Sequence, residues 1–255
     1  MINTMEETKM DRLVIIPTYN EKENIEAIIT AVMSLPIEFN VLVIDDGSPD
    51  GTADIVKRLM AGPYKGRVFI VERQGKLGLG TAYIAGFKWA IEHEAEYIFE
   101  MDADFSHNPQ DLMKLYDACA NGGADVSIGS RYVSGVNVVN WPMGRVLMSY
   151  FASKYVRFVL GMPINDTTAG FVCYKRNVLE TIELDNIRFK GYAFQIEMKF
   201  TAYKCGFKIT EVPIVFVNRV LGTSKMSGGI FSEALLGVVR LKISSWFRKY
   251  PKKNA

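Results

Sequence analysis

The sequence predicts an α/β protein built on a mostly parallel sheet covered by helices on both faces. Three observations carry this. Short, wholly apolar runs at residues 13–16 and 41–44 read as strands buried on both sides. Stretches with helical apolar spacing alternate with such runs, the rhythm of a parallel sheet. Carboxylates follow three of the runs: Glu21, Asp45-Asp46, and Asp102-Ala103-Asp104. They gather where open α/β sheets bind ligands, beyond the C-terminal ends of the strands.

The elements follow in order. After the run at 13–16, Asn20 or Glu21 opens a helix with Ile25, Ile28, Ile29, Val32 and Met33 on one side. The strand at 41–44 closes on Asp45-Asp46-Gly47-Ser48, and 52–60 reads as helix. A third strand is expected at 68–71, a glycine-rich turn at 75–80, and a helix from there through Ile91. Residues 97–101 read as a fourth strand, 111–120 as helix and 126–128 as strand. The second half is less regular. Helices are expected at 146–160 and 194–205, strands at 171–174 and 209–217, and an apolar-rich helix at 230–247.

The chain has 255 residues, 49% hydrophobic and 23% charged, which suits one large α/β domain and excludes a disordered or collagenous chain. Cys119, Cys173 and Cys205 form no CxxC pair, so small core residues in a reduced, cytoplasmic protein are expected, with no zinc cage. The first ten residues do not read as a signal peptide, and no apolar run reaches 18 residues. The net charge of +2 is unevenly placed. Residues 219–255 hold 8 basic and 1 acidic residues, against 22 basic and 27 acidic in the remainder. A basic tail on an acidic body points to an anionic partner: a membrane surface, a phosphate-bearing substrate or nucleic acid. The simplest division is one domain at 11–229 and a basic amphipathic extension at 230–255.

Asp102-Ala103-Asp104 can aim two carboxylates at one hard cation, and magnesium fills the rest of its shell with phosphate oxygens and water. Asp45 to Thr52 reads either as a turn with Thr52 capping the next helix, or as a set of acceptors for ribose and base. Gly75-Lys-Leu-Gly-Leu-Gly80 matches neither the dinucleotide nor the P-loop pattern. It is either a tight turn or an anion cradle at a helix start. Arg131 follows a strand and so emerges on the ligand side, with a fork that suits phosphate. Arg145, Arg219 and Lys225 are further cations in apolar or glycine-rich settings. His107 is expected to hydrogen-bond within the turn before Pro109, and His93 to be a solvated helix residue.

The ordered segments PTYNE (17–21), VIDDGSPDGT (43–52), GKLGLGTA (75–82), MDADFSH (101–107), GSRY (129–132), NDTTAGF (165–171) and GYAFQIEM (191–198) together are highly specific. They resemble the inverting family-2 glycosyltransferases of GT-A fold, over roughly residues 11–230. Within these, the polyprenol-phosphate (dolichol-phosphate) mannosyltransferases are the most similar. The resemblance implies a Rossmann-like GT-A domain that moves a mannosyl group from GDP-mannose to a polyprenyl phosphate, using Mg²⁺ or Mn²⁺. It implies a nucleoside site at Pro17, Tyr19, Glu21, Ile44, Asp45 and Asp46. Asp102, Ala103 and Asp104 would meet the metal and the donor diphosphate. Ser106 stands where some relatives carry a metal-ligating Gln. Arg131 and Arg145 would hold the lipid phosphate, and Arg219 and Lys225 would close a loop over the donor. With Asp104, the two arginines form the expected catalytic set. A partner at the cytoplasmic membrane face is expected, either the bilayer surface or a membrane subunit, with no nucleic acid. The rival readings are transfer from a UDP-sugar such as UDP-glucose and, in another class, a nucleotide-dependent oxidoreductase.

Overall fold

The computed structural model describes residues 10–191, 193–219 and 230–253, with side chains from residue 235 onward in the last segment. The strands are β1 (Arg12–Thr18), β2 (Asn40–Asp45), β3 (Val68–Glu72), β4 (Tyr97–Glu100), β5 (Val126–Ser130), β6 (Val138–Val139), β7 (Val172–Lys175), β8 (Ile209–Pro213) and β9 (Phe216–Val217). The helices are α1 (Ile25–Met33), α2 (Thr52–Ala61), α3 (Leu79–Glu92), α4 (Asp111–Ala120), α5 (Met143–Leu160), α6 (Arg176–Thr181), α7 (Ala193–Cys205) and α8 (Ile230–Phe247).

Seven strands form one sheet in the order β3-β2-β1-β4-β7-β5-β8, and β6 pairs with β9 in a small second sheet. Only β7 is antiparallel to its neighbours. The C-terminal ends of β1, β2, β4, β5 and β8, and the start of β7, therefore share one edge. The apolar runs are continuous because both faces are covered. Val14, Ile16, Val41, Val43 and Phe99 pack under α1, α2 and α4. Their alternates Leu13, Ile15, Leu42, Ile44 and Ile98 pack under α3, α6, α7 and α8. Gly86 is required where α3 crosses β1, since a Cβ there would lie 2.7 Å from Ile15.

Three expectations change. The run at 209–217 is two strands, because the chain passes from the main sheet at Pro213 to the small sheet at Phe216. The short elements β6 and α6 were not foreseen; two paired residues and six helical ones leave little periodic signal. Thr52 is not the cap of α2 but its first residue, with Gly51 at the cap in left-handed conformation (φ 89°). The Thr52 hydroxyl instead donates to Asp50 and accepts from the Glu21 N–H, tying two sheet-edge loops together.

The extension at 230–255 does not stand apart. Val238 and Leu241 of α8 are buried in the main core, and α8 packs on α5 and α7. Beyond it, Lys253 pairs with Asp125 at 2.8 Å, and Arg248 lies 3.8 Å from Glu183 and 3.9 Å from Glu197. Of the four cations that follow α8, Arg248, Lys249, Lys252 and Lys253, two thus have carboxylate partners within the domain. The three cysteines are free and buried.

Candidate active site

A cavity of about 640 Å³ opens at the shared strand edge. Asp102, Asp104, Ser106, Arg131, Arg145 and Arg219 all line it. Another part of its wall is apolar: Leu79 and Tyr83 of α3, Ala152 and Val156 of α5, Ile196 of α7, and Leu235 and Val238 of α8.

β4 ends one residue before Met101, and the chain then turns sharply. Phe105 adopts φ 59°, and the Ser106 N–H donates to Asp104 Oδ1 at 3.0 Å. This Asx turn places both aspartates on the cavity side. Asp104 Oδ2 meets the Arg219 guanidinium at 2.6 Å, and Arg219 also lies 3.9 Å from Glu21. One guanidinium thus serves the carboxylates that follow β1 and β4. Asp102 keeps 41% of its side-chain surface open into the cavity it lines. Protein on its other sides desolvates it, and this burial, with Asp104 adding, pushes its carboxyl well above the usual range against the pull of Arg219.

Arg131 follows β5, as expected, but its fork is engaged. Nε and Nη2 donate to Asp166 at 2.7 and 2.6 Å, and Nη2 also reaches Thr168 at 2.8 Å. Arg131 is 8% exposed and Asp166 fully buried. Burial alone would raise the Asp166 carboxyl; Arg131's charge and hydrogen bonds outweigh it and hold Asp166 below the usual range. Arg145, in the first turn of α5, donates to Asn218 at 3.0 Å and lies 3.9 Å over the Trp141 ring.

The nucleoside set sits beside this cavity rather than in its lining. Asp45 accepts from the Thr18 hydroxyl and from the Ser48 N–H and hydroxyl. Asp46 pairs with Arg73 at 2.6 Å and accepts from the Leu77 N–H. Both carboxylates therefore brace the loops around the site. The Ile44 side chain lies in the core, so only its backbone can meet a ligand. Ala103 is buried, Pro17 is half-buried and pairs in register with Ile44, and Tyr19 is half-buried with Lys76 5.4 Å over its ring. Lys225 lies outside the described residues.

The glycine-rich turn is shaped by packing. A Cβ on Gly80 would lie 2.8 Å from Phe194, and the Gly80 N–H donates to the Lys190 carbonyl. That amide is thus not available to an anion. His107 is not chiefly a hydrogen-bonding turn residue. It is buried, stacks on Phe171 at 4.8 Å, and accepts one long bond from the Asp102 N–H at 3.5 Å. Burial pushes its imidazole well below the usual value. His93 ends α3 and stacks on Trp89 at 3.6 Å.

Sequence reasoning assigned no role to Asp166, Gln195, Lys199 or Glu211. Glu211 of β8 accepts from the Asn165 and Asp166 N–H groups and from the Ser130 hydroxyl, fixing the loop at 165–170. Lys199 of α7 donates to the Ala169 carbonyl from below. The missing signal is periodicity: every described residue of α7 from Ala193 to Ala202 is buried, polar ones included.

Among the described residues no three His, Cys, Asp or Glu side chains converge as a preformed metal cage. Two carboxylates, Asp102 and Asp104, face one cavity. That donor set fits a hard divalent cation whose remaining ligands come from a diphosphate and water.

Residues 13–183 match the model of the glycosyl transferase family 2. The chain is 47% identical over 235 residues to a polyprenol monophosphomannose synthase of Mycolicibacterium smegmatis, covering 92% of this chain and 86% of that one. It is 46% identical over 228 residues to an undecaprenyl-phosphate mannosyltransferase of Micrococcus luteus, covering 89% and 92%. Among solved structures it is similar in fold to glucosyl-3-phosphoglycerate synthase from Mycobacterium tuberculosis in complex with Mn²⁺, UDP and glucosyl-3-phosphoglycerate. That match has TM-score 0.65 at 16% identity, covering 92% of this chain and 79% of that one.

Proposed function

Since the chain belongs to glycosyl transferase family 2, we propose that it is the glycosyltransferase that moves a mannosyl group from GDP-mannose to a polyprenyl phosphate, with inversion at the anomeric carbon. The observation that carries this reading is one cavity with two chemistries. Part of its lining is Asp102, Asp104, Arg219, Arg131 and Arg145, and another part, from α3, α5, α7 and α8, is apolar. A charged diphosphate and a phosphate on a hydrocarbon chain are the ligands such a wall suits. Family membership also removes the oxidoreductase reading.

The chemistry needs no dedicated base. An acceptor phosphate oxygen attacks the anomeric carbon as the bond to GDP breaks, and the electron pair leaves on the diphosphate. With a second pKa of about 6, the acceptor is already largely dianionic near neutrality. Asp102 and Asp104 would hold a divalent cation, which supplies charge stabilisation for the leaving diphosphate when bound. Ser106 adds at most a hydroxyl beside them. Arg219, already on Asp104, adds positive charge on the donor side. Arg145 and Arg131 face the acceptor phosphate, with Arg131 oriented by Asp166. Tyr19, Pro17 and the backbone at Ile44 flank the nucleoside, on loops braced by Asp45, Asp46 and Glu21.

A lipid acceptor requires access to a bilayer. Among the described residues no helix is long and apolar enough to cross one. The exposed side of the α5–α8 pair carries Met143, Leu147, Phe151, Phe158, Leu236, Ile243, Trp246 and Phe247. Lys154, Arg157 and Arg240 lie on the same helices. An apolar face with cationic flanks suits peripheral docking on an anionic leaflet. A membrane subunit seated on the same face is the other outcome.

Donor choice is tested with labelled GDP-mannose and UDP-glucose, each given with polyprenyl phosphate, Mg²⁺ or Mn²⁺, and with or without EDTA. Label extracted into organic solvent from GDP-mannose, and lost with EDTA, supports the reading. Label from UDP-glucose alone would assign the sugar wrongly.

A further inference from the structure

We propose that Trp141 and Asn218 are positioning residues of the transfer reaction, which hold the Arg145 guanidinium toward the acceptor phosphate, the Trp141 ring serving Arg131 as well. The proposal rests on the glycosyl transfer argued above. It gives the small second sheet a part in the chemistry.

Arg145 Nη1 donates to Asn218 Oδ1 at 3.0 Å, and its guanidinium carbon lies 3.9 Å from the centre of the Trp141 ring. Trp141, Asn218 and both arginines line the cavity. The Arg131 guanidinium lies 5.6 Å from the centres of Trp141 and Phe216 and 5.2 Å from that of Tyr132. Trp141 in turn meets Phe216 edge-on at 5.2 Å. The indole N–H has no hydrogen-bond partner among the described residues. The ring is therefore placed by its contacts with Phe216 and the guanidiniums rather than by its polar edge. A cation within about 6 Å of an aromatic centre is attracted by the ring's π system, and arginine favours such stacking.

Backbone pairing brings the two partners of Arg145 together. Trp141 stands two residues after β6 and Asn218 one residue after β9. These strands pair in parallel, and the Asn218 N–H extends the pairing to the Val139 carbonyl at 3.1 Å. Three successive residues then reach three parts of the site. The Val217 N–H donates to the Ser106 carbonyl at 3.2 Å, Asn218 accepts from Arg145, and Arg219 pairs with Asp104 at 2.6 Å. The segment thus ties the Asp102–Asp104 turn to the acceptor-side arginine. Transfer needs that separation held, because a misplacement of about 1 Å can lower a rate about 100-fold.

The test separates the aromatic face of Trp141 from its bulk. Full-length Trp141→Leu and Trp141→Phe are compared with the wild type for thermal melting, GDP affinity by calorimetry with Mg²⁺, and transfer from GDP-mannose at varied polyprenyl phosphate. Leucine keeps an apolar wall but loses the π face, whereas phenylalanine keeps both. Trp141→Leu is expected to be folded, to bind GDP within about twofold of the wild type, and to lose about fivefold or more in kcat/KM for the acceptor. Trp141→Phe should recover most of that loss. Wild-type kcat/KM in Trp141→Leu, an equal loss in the two variants, or a fall matched by an equal loss of GDP affinity would overturn the proposal. Should Trp141→Leu not fold, Asn218→Ala removes the hydrogen bond to Arg145 and keeps the backbone that carries Arg219. Its kcat/KM for the acceptor should fall by about threefold or more at unchanged GDP affinity, and an unchanged value would overturn the proposal equally. A wild type that moves no mannose to the lipid phosphate would overturn the transfer reading, and this proposal with it.

Discussion

Arg131 and Asp166 form a buried two-pronged ion pair, with Nε and Nη2 at 2.7 and 2.6 Å from the two carboxylate oxygens. The pair joins the end of β5 to the loop that opens β7. It converts an arginine that the sequence offered as a phosphate ligand into one whose orientation is set from within the protein.

Arg131→Lys should therefore act on both stability and transfer. Lysine keeps the charge but cannot make the fork. A loss of about 1–3 kcal/mol in urea unfolding is expected from the missing bonds at this buried site, with a fall in kcat. Unchanged stability would show that the pair holds little together.

The same pair predicts an acid-side effect. The Asp166 carboxyl is held below its unfolded value, so its stabilisation is present above about pH 4 and is lost as pH falls through the folded pKa. Asp166→Asn should be less stable than the wild type near neutrality, and the gap should narrow on acidification below about pH 4. A gap that stayed constant with pH would place the cost in lost packing rather than in charge.

Asp104 and Ser106 should differ in kind. Asp104 presents a carboxylate to the cavity and to Arg219, whereas Ser106 contributes its N–H to the turn and at most a hydroxyl to a cation. Asp104→Asn should abolish transfer while circular dichroism stays native. Ser106→Ala keeps the backbone bond and should retain most of the activity. A more severe loss in Ser106→Ala would reverse the proposed assignment of the ligands.

For the lipid-facing surface the fold dictates the choice of variant. Deleting 230–255 would strip Val238 and Leu241 from the core, at about 1.5–3 kcal/mol each, so loss of vesicle binding would be uninterpretable. Phe158, Trp246 and Phe247 are 87%, 68% and 83% exposed and can be changed without that cost. The triple serine variant should melt like the wild type yet float less with anionic vesicles at low salt. Equal flotation would remove this face from membrane docking.

Much of this arrangement is legible in the sequence because two simple signals coincide. Apolar runs such as Leu13 to Ile16 mark strands covered on both faces, and carboxylates at Glu21, Asp45 and Asp102 mark one edge of their sheet. What the sequence hides is partnership. Nothing near Arg131 in the chain announces Asp166, 35 residues on, and nothing in α7 marks Lys199 as buried, since every residue from Ala193 to Ala202 is buried whatever its polarity. Asp45 and Asp46 show the converse. Their position suggests ligand contacts, yet their hydrogen bonds run to Thr18, Ser48 and Arg73. The C-terminal cations likewise read as one basic tail, although Lys253 is tied to Asp125, 128 residues away.

The central claim is that the sugar goes to a lipid-borne phosphate. Its most direct measurement is the label passing from GDP-mannose into organic solvent with polyprenyl phosphate, compared with the same polyprenol carrying a free hydroxyl. Label is expected in the organic phase only with the phosphate, since the cavity's arginines suit an anionic acceptor and the proposed transfer relies on an acceptor already ionised. Equal label with the free alcohol, or release of free mannose at the same rate without any lipid, would contradict it.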